Sequence, residues 1–498
     1  MRALRAFTAP AVVVGYVFVA VIAGVAANAI LPESVFAASA AVAVVIGIVL
    51  AWRLIDGVLT FAVAALLADT IEHWADLSLR YLDEISIPVM ALAILVAHRD
   101  RLLLPRPGLR ELALGILLLA GVASSLLNAV PAGVWLPGGI LLVKGIAFFY
   151  LVVSLRVGEG DLRRAAVVVG SIGAVIVVIG FIELVGPSAV QQALGLPRYQ
   201  EERGGLSVVK SIFLHPALYG WITAFLSLFL YARFAVVRDR LSLLGALVLN
   251  VGTLLSGRRT PLVGVVAGLV VGGIRQATGG WLAPRIWAPV AAILIGFVVL
   301  SFPILGSFYR ATITDYLATP EQMAEIFEPE PDPTVLRQMQ PRVGLYLGSV
   351  AVARDEFPFG AGVGRFGSHM SREVYSPVYA EYGMDQMYGI KEERPIAVTD
   401  TFWPMILGET GLIGLAGALG FFGNIGRELW VAVGRAAGLG MRAFLLGALL
   451  VYVEGLVRSL TSPAFVAPPI AYFIFGTIGL ALAASRGAGA GVTPILDN

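Results

Sequence analysis

Apolar runs long enough to cross a membrane alternate with short polar links along most of the chain. A helix needs about 20 apolar residues to cross roughly 30 Å of hydrocarbon. The runs fall at 9–30, 34–52, 54–71, 84–98, 109–129, 133–154, 163–186, 210–233, 240–256, 260–275, 285–308, 401–424, 440–456 and 466–485. This pattern predicts about fourteen transmembrane helices, or about twelve if the weaker runs at 54–71 and 84–98 are re-entrant or interfacial.

The longest break in the pattern is the polar interval 309–400. Within it, Thr312–Phe327 and Leu336–Asp355 have helical periodicity with mixed polarity, and the proline-rich stretch Pro329–Pro333 separates them. We therefore predict an all-α integral membrane protein with one large, mostly helical extracytoplasmic loop. Its parts are a transmembrane bundle of about eleven spans at 1–308, the loop domain at 309–400, and the last three transmembrane helices with a short cytoplasmic tail at 401–498.

The arginines predict the orientation of the chain. They collect on alternate connections, as the positive-inside rule requires. The residues on this side are Arg2, Arg5, Arg53, Arg99, Arg101, Arg106, Arg110, Arg156, Arg163, Arg164, Arg233, Arg238, Arg240, Arg275, Arg285, Arg427, Arg435 and Arg442. Both termini are predicted to be cytoplasmic, which places 309–400 outside. The first apolar run is longer than that of a typical signal peptide, so we expect a membrane helix there.

Composition agrees with a membrane protein and excludes several classes of function. Hydrophobic residues make up 58% of the chain and charged residues only 14%, whereas an average soluble domain has about 25% charged residues. The net charge of +2 argues against nucleic acid as a partner, because nucleic-acid binders carry a strongly basic face. The sequence contains no cysteine, which excludes disulfides, thiolate catalysis and cysteine-ligated metals.

Four basic residues break the charge rule on the predicted outer side. Arg203 and Lys210 lie close to the start of the eighth span, and Arg258 and Arg259 are adjacent in the short link 256–261. One interpretation is that these side chains snorkel to the membrane interface. The other is an anion site, because arginine forks bind phosphate oxygens bidentately and ionisable groups at a membrane boundary are candidates for function.

Ionisable residues also occur within the predicted spans. Lys144 is expected either to pair with a carboxylate such as Glu183 or Glu454 or to contact a substrate. Glu183, Glu409 and Glu454 are open to two interpretations, a hydrogen bond between helices or a catalytic role. His215 precedes a proline, a pattern that is typical of a helix start or a kink.

The sequence lacks the motifs of common soluble active sites. It contains no Walker loop, no His-Glu-x-x-His, no Gly-x-Ser-x-Gly and no close Asp-x-Asp pair. The predicted outer face instead offers arginines, a histidine and an aspartate beside a hydrophobic bundle. That set suits a transfer without metal or cofactor, in which cations stabilise a lipid-borne phosphate or pyrophosphate leaving group and a base takes a proton from an acceptor hydroxyl.

Four segments, in order, resemble the O-antigen ligase and Wzy-type polymerase family of bacterial envelope proteins from about residue 200 to the C-terminus. The first two are Phe213–Pro216 and Thr253–Thr260, the second similar to the family's Ser-Arg-Thr/Gly element. The third is Arg342 followed by the glycine-rich stretch Asp355–Gly364. The fourth is Asp400–Gly414, within which Gly408–Gly414 is similar to the family's Glu-x-Gly-hydrophobic-hydrophobic-Gly element.

The resemblance implies a glycosyltransferase of the bacterial cytoplasmic membrane that passes a glycan from undecaprenyl pyrophosphate to an acceptor sugar hydroxyl without a metal. Arg258 or Arg259 matches the family's phosphate-binding arginine, and Arg342 matches its second. Many members, notably the ligases, have a His-Asn pair where this chain has Asp400 and a threonine. We therefore expect a polymerase rather than a lipid A–core ligase. Asp400 is the first candidate base and His369 the second, unless Asp400 only orients an acceptor or binds Arg342.

The expected partners are a polyprenyl-pyrophosphate-linked glycan, an acceptor glycan and the lipid bilayer, with a chain-length regulator or a flippase as a candidate protein partner. Arg203 and Lys210 are predicted to assist the other arginines in binding pyrophosphate. The alternatives are ligase-type transfer to a lipid or protein acceptor, a lipid or solute transporter, and a structural membrane subunit. Transporters are commonly built from internal repeats, and the sequence has no evident repeat.

Overall fold

The computed structural model describes residues 2–31, 34–103, 107–198, 201–203, 206–279, 320–328 and 332–489. Most of these residues are helical. The helices are α1 (Arg2–Ile30), α2 (Ala37–Trp52), α3 (Leu54–Ala75), α4 (Leu82–Ala97), α5 (Leu109–Leu127), α6 (Ala132–Val153), α7 (Glu159–Val185), α8 (Pro187–Ala193), α9 (Pro216–Val237), α10 (Arg240–Leu255), α11 (Arg259–Thr278), α12 (Pro320–Glu325), α13 (Pro333–Gln338), α14 (Pro341–Asp355), α15 (His369–Glu373), α16 (Val378–Glu381), α17 (Trp403–Arg435), α18 (Leu439–Ser459) and α19 (Ile470–Gly489). Two-residue strands, β1 (Glu202–Arg203) and β2 (Leu206–Ser207), pair antiparallel.

Nine helices in the described ranges are long and apolar enough to cross a membrane. They are α1 from Ala9 onward, α3, α5, α6, α7, α9, α11, α17 and α18. The apolar helices α2, α10 and α19 are shorter. These helices confirm the prediction of a helical, multi-pass membrane protein. The predicted run 54–71 forms a helix of spanning length, and the predicted run 285–308 lies outside the described residues.

Small residues let α5 and α17 approach each other closely. A Cβ atom on Gly417 would lie 2.6 Å from the backbone nitrogen of Leu117 and 2.8 Å from the carbonyl oxygen of Ala113. Glycine at such a contact is typical of helix packing in membranes, where van der Waals contact replaces the hydrophobic effect between helices. Elsewhere on α5, Leu112 and Leu119 are exposed, as expected for side chains that contact lipid.

Lys144, inside the bundle, is paired with carboxylates, although not with those predicted. The Lys144 ammonium lies 2.6 Å from Asp83 Oδ2 and 2.7 Å from Glu84 Oε1 at the start of α4. The suggested partners Glu183 and Glu454 were therefore wrong, although pairing with a carboxylate was right. The reason is that α6 packs against α4, and that neighbour cannot be identified from local sequence.

Glu183 and Glu454 also form hydrogen bonds within the protein, but only Glu183 bonds to another segment, whereas Glu454 bonds within its own helix rather than between helices. Glu183 accepts hydrogen bonds from the backbone nitrogens of Lys210 (3.0 Å) and Ser211. Glu454 accepts a hydrogen bond from Arg458 Nε (2.8 Å), one turn further along α18. These contacts satisfy the buried oxygens within the protein, as buried polar groups require.

The described part of the polar interval, α12 to α16, has a hydrophobic core of its own. The buried side chains of this core are Ile326, Leu336, Met339, Leu345, Val352, Ala361, Phe366, Val378, Tyr379, Met384, Met387, Ile390 and Val398. The prediction of a single helix over Leu336–Asp355 was wrong, because α13 ends at Gln338 and α14 begins at Pro341. Proline disfavours helical backbone in the residue before it, so the chain starts a new helix there. Of the predicted helix Thr312–Phe327, residues 312–319 lie outside the described ranges, and α12 covers Pro320–Glu325.

Candidate active site

Arg342 and Asp400 form an ion pair where the polar interval meets the first helix after it, α17. Arg342 Nη2 lies 3.0 Å from Asp400 Oδ2. Pro341 occupies the first turn of α14, where its missing N–H costs no helical hydrogen bond, and this places Arg342 at the helix start. The two side chains are 32% and 35% exposed. The pair is therefore accessible to a ligand.

The surroundings of Asp400 make its carboxylate more basic than an ordinary aspartate. Burial raises the pKa of Asp400, and the charge and hydrogen bond of Arg342 oppose that rise without cancelling it. A carboxylate whose pKa lies nearer to neutrality takes a proton from a hydroxyl more effectively. An anion that drew Arg342 away from Asp400 would also remove the contact that holds this pKa down.

Asp400 is held in place through the helix that follows it. The backbone nitrogen of Phe402 donates to the carbonyl oxygen of Ser459 (3.2 Å), and the indole of Trp403 donates to the Ser459 hydroxyl (2.8 Å). The Phe402 ring also packs against Phe465, with ring centroids 5.4 Å apart. These contacts fix the segment that carries Asp400 against the C-terminal end of α18.

Arg258 and Arg259, here called the arginine pair, lie at the start of α11. Arg258 Nη2 lies 3.1 Å from Glu201 Oε2 and 3.2 Å from His215 Nε2. His215 is also the N-cap of α9, and its Nδ1 accepts from the backbone nitrogen of Ala217 (3.2 Å). Since a neutral imidazole has only one acceptor nitrogen, the arginine contact and the helix cap compete for it. The prediction that His215 starts a helix is confirmed.

Residues close to the arginine pair, to Arg342 and to Asp400 contact three consecutive residues, Ser459, Leu460 and Thr461, which we call the α18 terminus. Tyr346, one turn after Arg342 on α14, donates to the Leu460 carbonyl (3.0 Å). Thr260, next to the arginine pair, shares a hydrogen bond with the Thr461 hydroxyl (3.0 Å). The α18 terminus thus links the arginine pair to the ion pair of the polar interval, although their positions are more than eighty residues apart in the sequence.

The glycine-rich stretch docks into an interruption of α17. Gly411 has φ 64° and ψ −164° within that helix, a region of backbone conformation that is essentially restricted to glycine. The main chain of 360–364 fits against this break, and Ala361 N donates to the Gly408 carbonyl (2.8 Å). The Glu409 carboxylate accepts from Gly364 N (2.8 Å) and from Phe366 N (3.2 Å).

Two of the four segments that carry the family resemblance therefore contact each other directly, namely the glycine-rich stretch and the Gly408–Gly414 segment. Ser124 of α5 also donates to the Gly360 carbonyl and to the Glu409 carbonyl, both at 2.8 Å. Buried backbone groups of a loop need such partners. This docking sets the position of the polar interval on the bundle, and the interval carries Arg342.

The remaining predicted site residues lie elsewhere or are engaged in other contacts. His369 begins α15, and its ring contacts two residues of the same helix, with Nδ1 3.2 Å from Arg372 Nη2 and Nε2 3.6 Å from Glu373 Oε1. Burial and the charge of Arg372 lower the pKa of His369. Lys210 is buried, and its ammonium donates to the Pro197 carbonyl (2.6 Å). The backbone of Arg203 lies in β1, and its side chain is not among those that the structure describes.

Sequence reasoning missed three residues next to the predicted site. Glu201 and His215 both contact Arg258, and Tyr346 ties α14 to the α18 terminus. The His-Pro pattern pointed to the start of a helix but gave no reason to connect it with an arginine 43 positions later. Tyr346 lies four residues after Arg342, and this helical spacing is the local signal that associates them.

Within the described ranges, no group of three or more histidine, aspartate or glutamate side chains is arranged to hold a metal ion. No protein-family model matches the chain, and no curated protein matches it significantly.

Proposed function

We propose that this protein is a polymerase-type glycosyltransferase of the bacterial cytoplasmic membrane. It would move a glycan from undecaprenyl pyrophosphate to the hydroxyl of an acceptor sugar on the outer face, without a metal. Both termini would then be cytoplasmic and the polar interval would be extracytoplasmic, as the distribution of arginines predicts. The proposal extends the resemblance of the four segments to a specific reaction.

The observation that carries the proposal is that Thr260 beside the arginine pair, Tyr346 one turn after Arg342, and Trp403 shortly after Asp400 all hydrogen-bond to the α18 terminus. A pyrophosphate leaving group needs several cations, and an acceptor hydroxyl needs one base. The arginine pair and Arg342 supply the cations, and Asp400 supplies the base. The arginine pair at the start of α11 and Asp400 just before α17 lie at the ends of membrane helices, which suits a donor whose lipid chain stays in the bilayer.

In the proposed reaction, the acceptor oxygen attacks the anomeric carbon of the donor glycan. The bond between that carbon and the pyrophosphate oxygen breaks, and the pyrophosphate leaves with the electron pair. Asp400 takes the proton of the acceptor hydroxyl. Guanidinium groups of the arginine pair and Arg342 neutralise the charge that develops on the leaving oxygen, and this neutralisation lowers the barrier.

The ion pair provides a way to couple donor binding to activation of the acceptor. Without a donor, Arg342 holds the Asp400 carboxylate. A pyrophosphate that binds Arg342 bidentately competes with this contact. Asp400 then loses its opposing cation, its pKa rises further, and it becomes a better base while the donor is in place.

The experiment is a transfer assay with purified full-length protein. The substrate is lipid-linked glycan extracted from membranes of the source cells, and the product is followed as lengthened lipid-linked material on a gel. Lengthening of the lipid-linked glycan would support a polymerase. Transfer to an added lipid or protein acceptor without lengthening would instead indicate a ligase-type reaction, and absence of any transfer product would contradict the proposal.

A pair of variants on one helix tests the residue assignment. Arg342→Gln should abolish transfer, because it removes a leaving-group cation and the partner of Asp400. Arg354→Gln is the control, since Arg354 lies at the other end of α14, is exposed, and pairs with its neighbour Asp355. Equal product from the two variants, at equal expression and equal thermal stability, would remove Arg342 from the site.

A further inference from the structure

A large cavity lies inside the bundle, away from the arginine pair and the ion pair. It has a volume of about 1030 Å³, at the upper end of the roughly 300–1,000 Å³ found for ligand pockets. Helices α3, α6, α7, α9, α10, α18 and α19 form its walls. Aromatic and aliphatic side chains, among them Phe225, Phe229 and Phe444, cover nearly all of its lining.

The cavity has the length and the side opening that a lipid chain needs. Its lining extends along α7 from Glu159 to Val178, about 28 Å at a rise of 1.5 Å per residue. Val178 on α7 and Val248 on α10 both line the cavity and are 57% and 49% exposed. The cavity is therefore a groove that opens between α7 and α10 toward the hydrocarbon of the membrane.

One end of the groove carries charged side chains. Arg163 and Glu159 lie in the first turns of α7, and Arg233 lies near the end of α9. The Arg233 side chain is exposed, and its Nε lies 3.3 Å from Asp239 Oδ2 in an ion pair. Arg163 forms no ion pair with any other residue that the structure describes. Because α9 begins at the contact with the arginine pair, this end of the groove is at the opposite membrane surface.

An apolar groove in a membrane binds nothing tightly through its lining alone, because lipid tails are as apolar as the side chains that they would contact. The selectivity must come from the charged end. Guanidinium groups bind phosphate bidentately, and basic pockets between transmembrane helices bind anionic lipid head groups. The charges of Arg163 and Arg233 are balanced by Glu159 and Asp239, so the end as a whole does not select an anion by net charge. The Arg163 guanidinium, however, has no carboxylate partner among the described residues, and Arg233 stays exposed beside Asp239, so both groups can contact a phosphate.

We propose that this groove is a binding site for an anionic phospholipid. The acyl chains lie along α7 and α9 within the groove, and the phosphate contacts Arg163 and Arg233 at the arginine-rich membrane surface. The bound lipid fills space between α7, α10 and α18 that is left open by the side chains the structure describes. This site is separate from the proposed transfer site and does not depend on it.

The first test measures lipid selectivity in a bilayer. The full-length protein is reconstituted in phosphatidylcholine vesicles at 0.15 M salt with spin-labelled phosphatidylglycerol or spin-labelled phosphatidylcholine, and the motionally restricted fraction is measured. Wild type should retain phosphatidylglycerol preferentially. Removing one arginine, in Arg163→Gln or Arg233→Gln, should lower its relative association about fivefold, which corresponds to about 1 kcal/mol per charge at the membrane surface. Arg240→Gln is the control, because Arg240 lies at the same surface but outside the groove.

The second test fills the groove. Gly170 lines it, and a Cβ atom at Gly170 would meet no atom within 4 Å, so Gly170→Leu places a side chain in empty space. We expect this variant to lose the restricted phosphatidylglycerol, whereas Gly115→Leu on α5, which also has open space, should keep it.

Three results would overturn the proposal. They are equal restriction of the two lipids by wild type, equal effects of the groove variants and their controls, and displacement of phosphatidylglycerol by an equimolar amount of undecaprenyl phosphate. The last result would assign the groove to a polyprenyl chain. Inorganic phosphate should not compete, because it lacks the chains that occupy the groove.

Discussion

Replacing Gly411 by alanine should detach the glycine-rich stretch from α17. The backbone of Gly411 has φ 64° and ψ −164°, and forcing a residue with a Cβ into this region costs about 1–3 kcal/mol. The new Cβ would also lie 2.6 Å from the Phe359 carbonyl carbon and 2.7 Å from the backbone nitrogen of Gly360. Main-chain atoms cannot move aside as a side chain does, and overpacking of this kind costs about 1–3 kcal/mol more.

The expected destabilisation of Gly411→Ala is therefore roughly 2–6 kcal/mol. The assay is reversible unfolding of the purified protein in mixed detergent micelles, followed by tryptophan fluorescence. Hydrogen exchange at the Gly364 amide, which donates to Glu409, gives a local measurement of docking. The amide should exchange faster in the variant, because the loop can no longer seat against the helix.

Gly423→Ala is the matched control on the same helix. A Cβ atom there would meet no atom within 4 Å, and its backbone is helical, so alanine should stabilise by up to about 1 kcal/mol. If Gly411→Ala unfolds at the same detergent composition as Gly423→Ala, and Gly364 exchanges at the wild-type rate, then the docking of the glycine-rich stretch does not depend on the break in α17.

Three further predictions concern the charged residues. The rate of transfer should rise with pH as Asp400 loses its proton, with a midpoint above the value of about 3.9 for an ordinary aspartate because burial raises the Asp400 pKa. A pH–rate profile measures this, and persistence of the same limb in Asp400→Asn would assign the base elsewhere. Lys144→Met leaves two carboxylates without their buried cation and should destabilise the protein by about 3–5 kcal/mol, measured by unfolding in detergent. The control Lys391→Met, in the polar interval, should change stability by less than about 0.5 kcal/mol. Similar values for the two variants would contradict the ion-pair argument. His369→Gln should retain most of the transfer activity, because His369 contacts its own helix rather than the ion pair, and loss of transfer at unchanged stability would restore His369 as a candidate base.

The membrane helices could be predicted from the sequence because hydropathy is a local property. The run 109–129 corresponds to α5 and the run 260–275 to α11, each within three residues at either end. Boundaries that depend on backbone geometry were harder to predict. The helix expected at Leu336–Asp355 divides before Pro341, and α17 extends to Arg435, well beyond the predicted end at 424.

Contacts between distant segments account for what the sequence did not predict. Arg342 and Asp400 were both selected as site residues, and an ion pair between them was one of the alternatives considered for Asp400. The partner of Lys144 was missed, because Glu84 lies 60 positions away and several other carboxylates have an equally suitable local setting. The break at Gly411 was missed too, since a glycine within an apolar run is compatible with an uninterrupted helix.

The three residues of the α18 terminus also determine how the proposed site responds to the membrane around it. A bilayer that is thinner or thicker than the spans makes helices tilt at modest cost. The polar interval and α11 hydrogen-bond to Leu460 and Thr461, respectively, at 3.0 Å, so we expect a tilt of α18 to carry both segments with it. We therefore expect the spacing of the arginines to depend little on lipid composition, so that the proposed site keeps one geometry in membranes of different thickness.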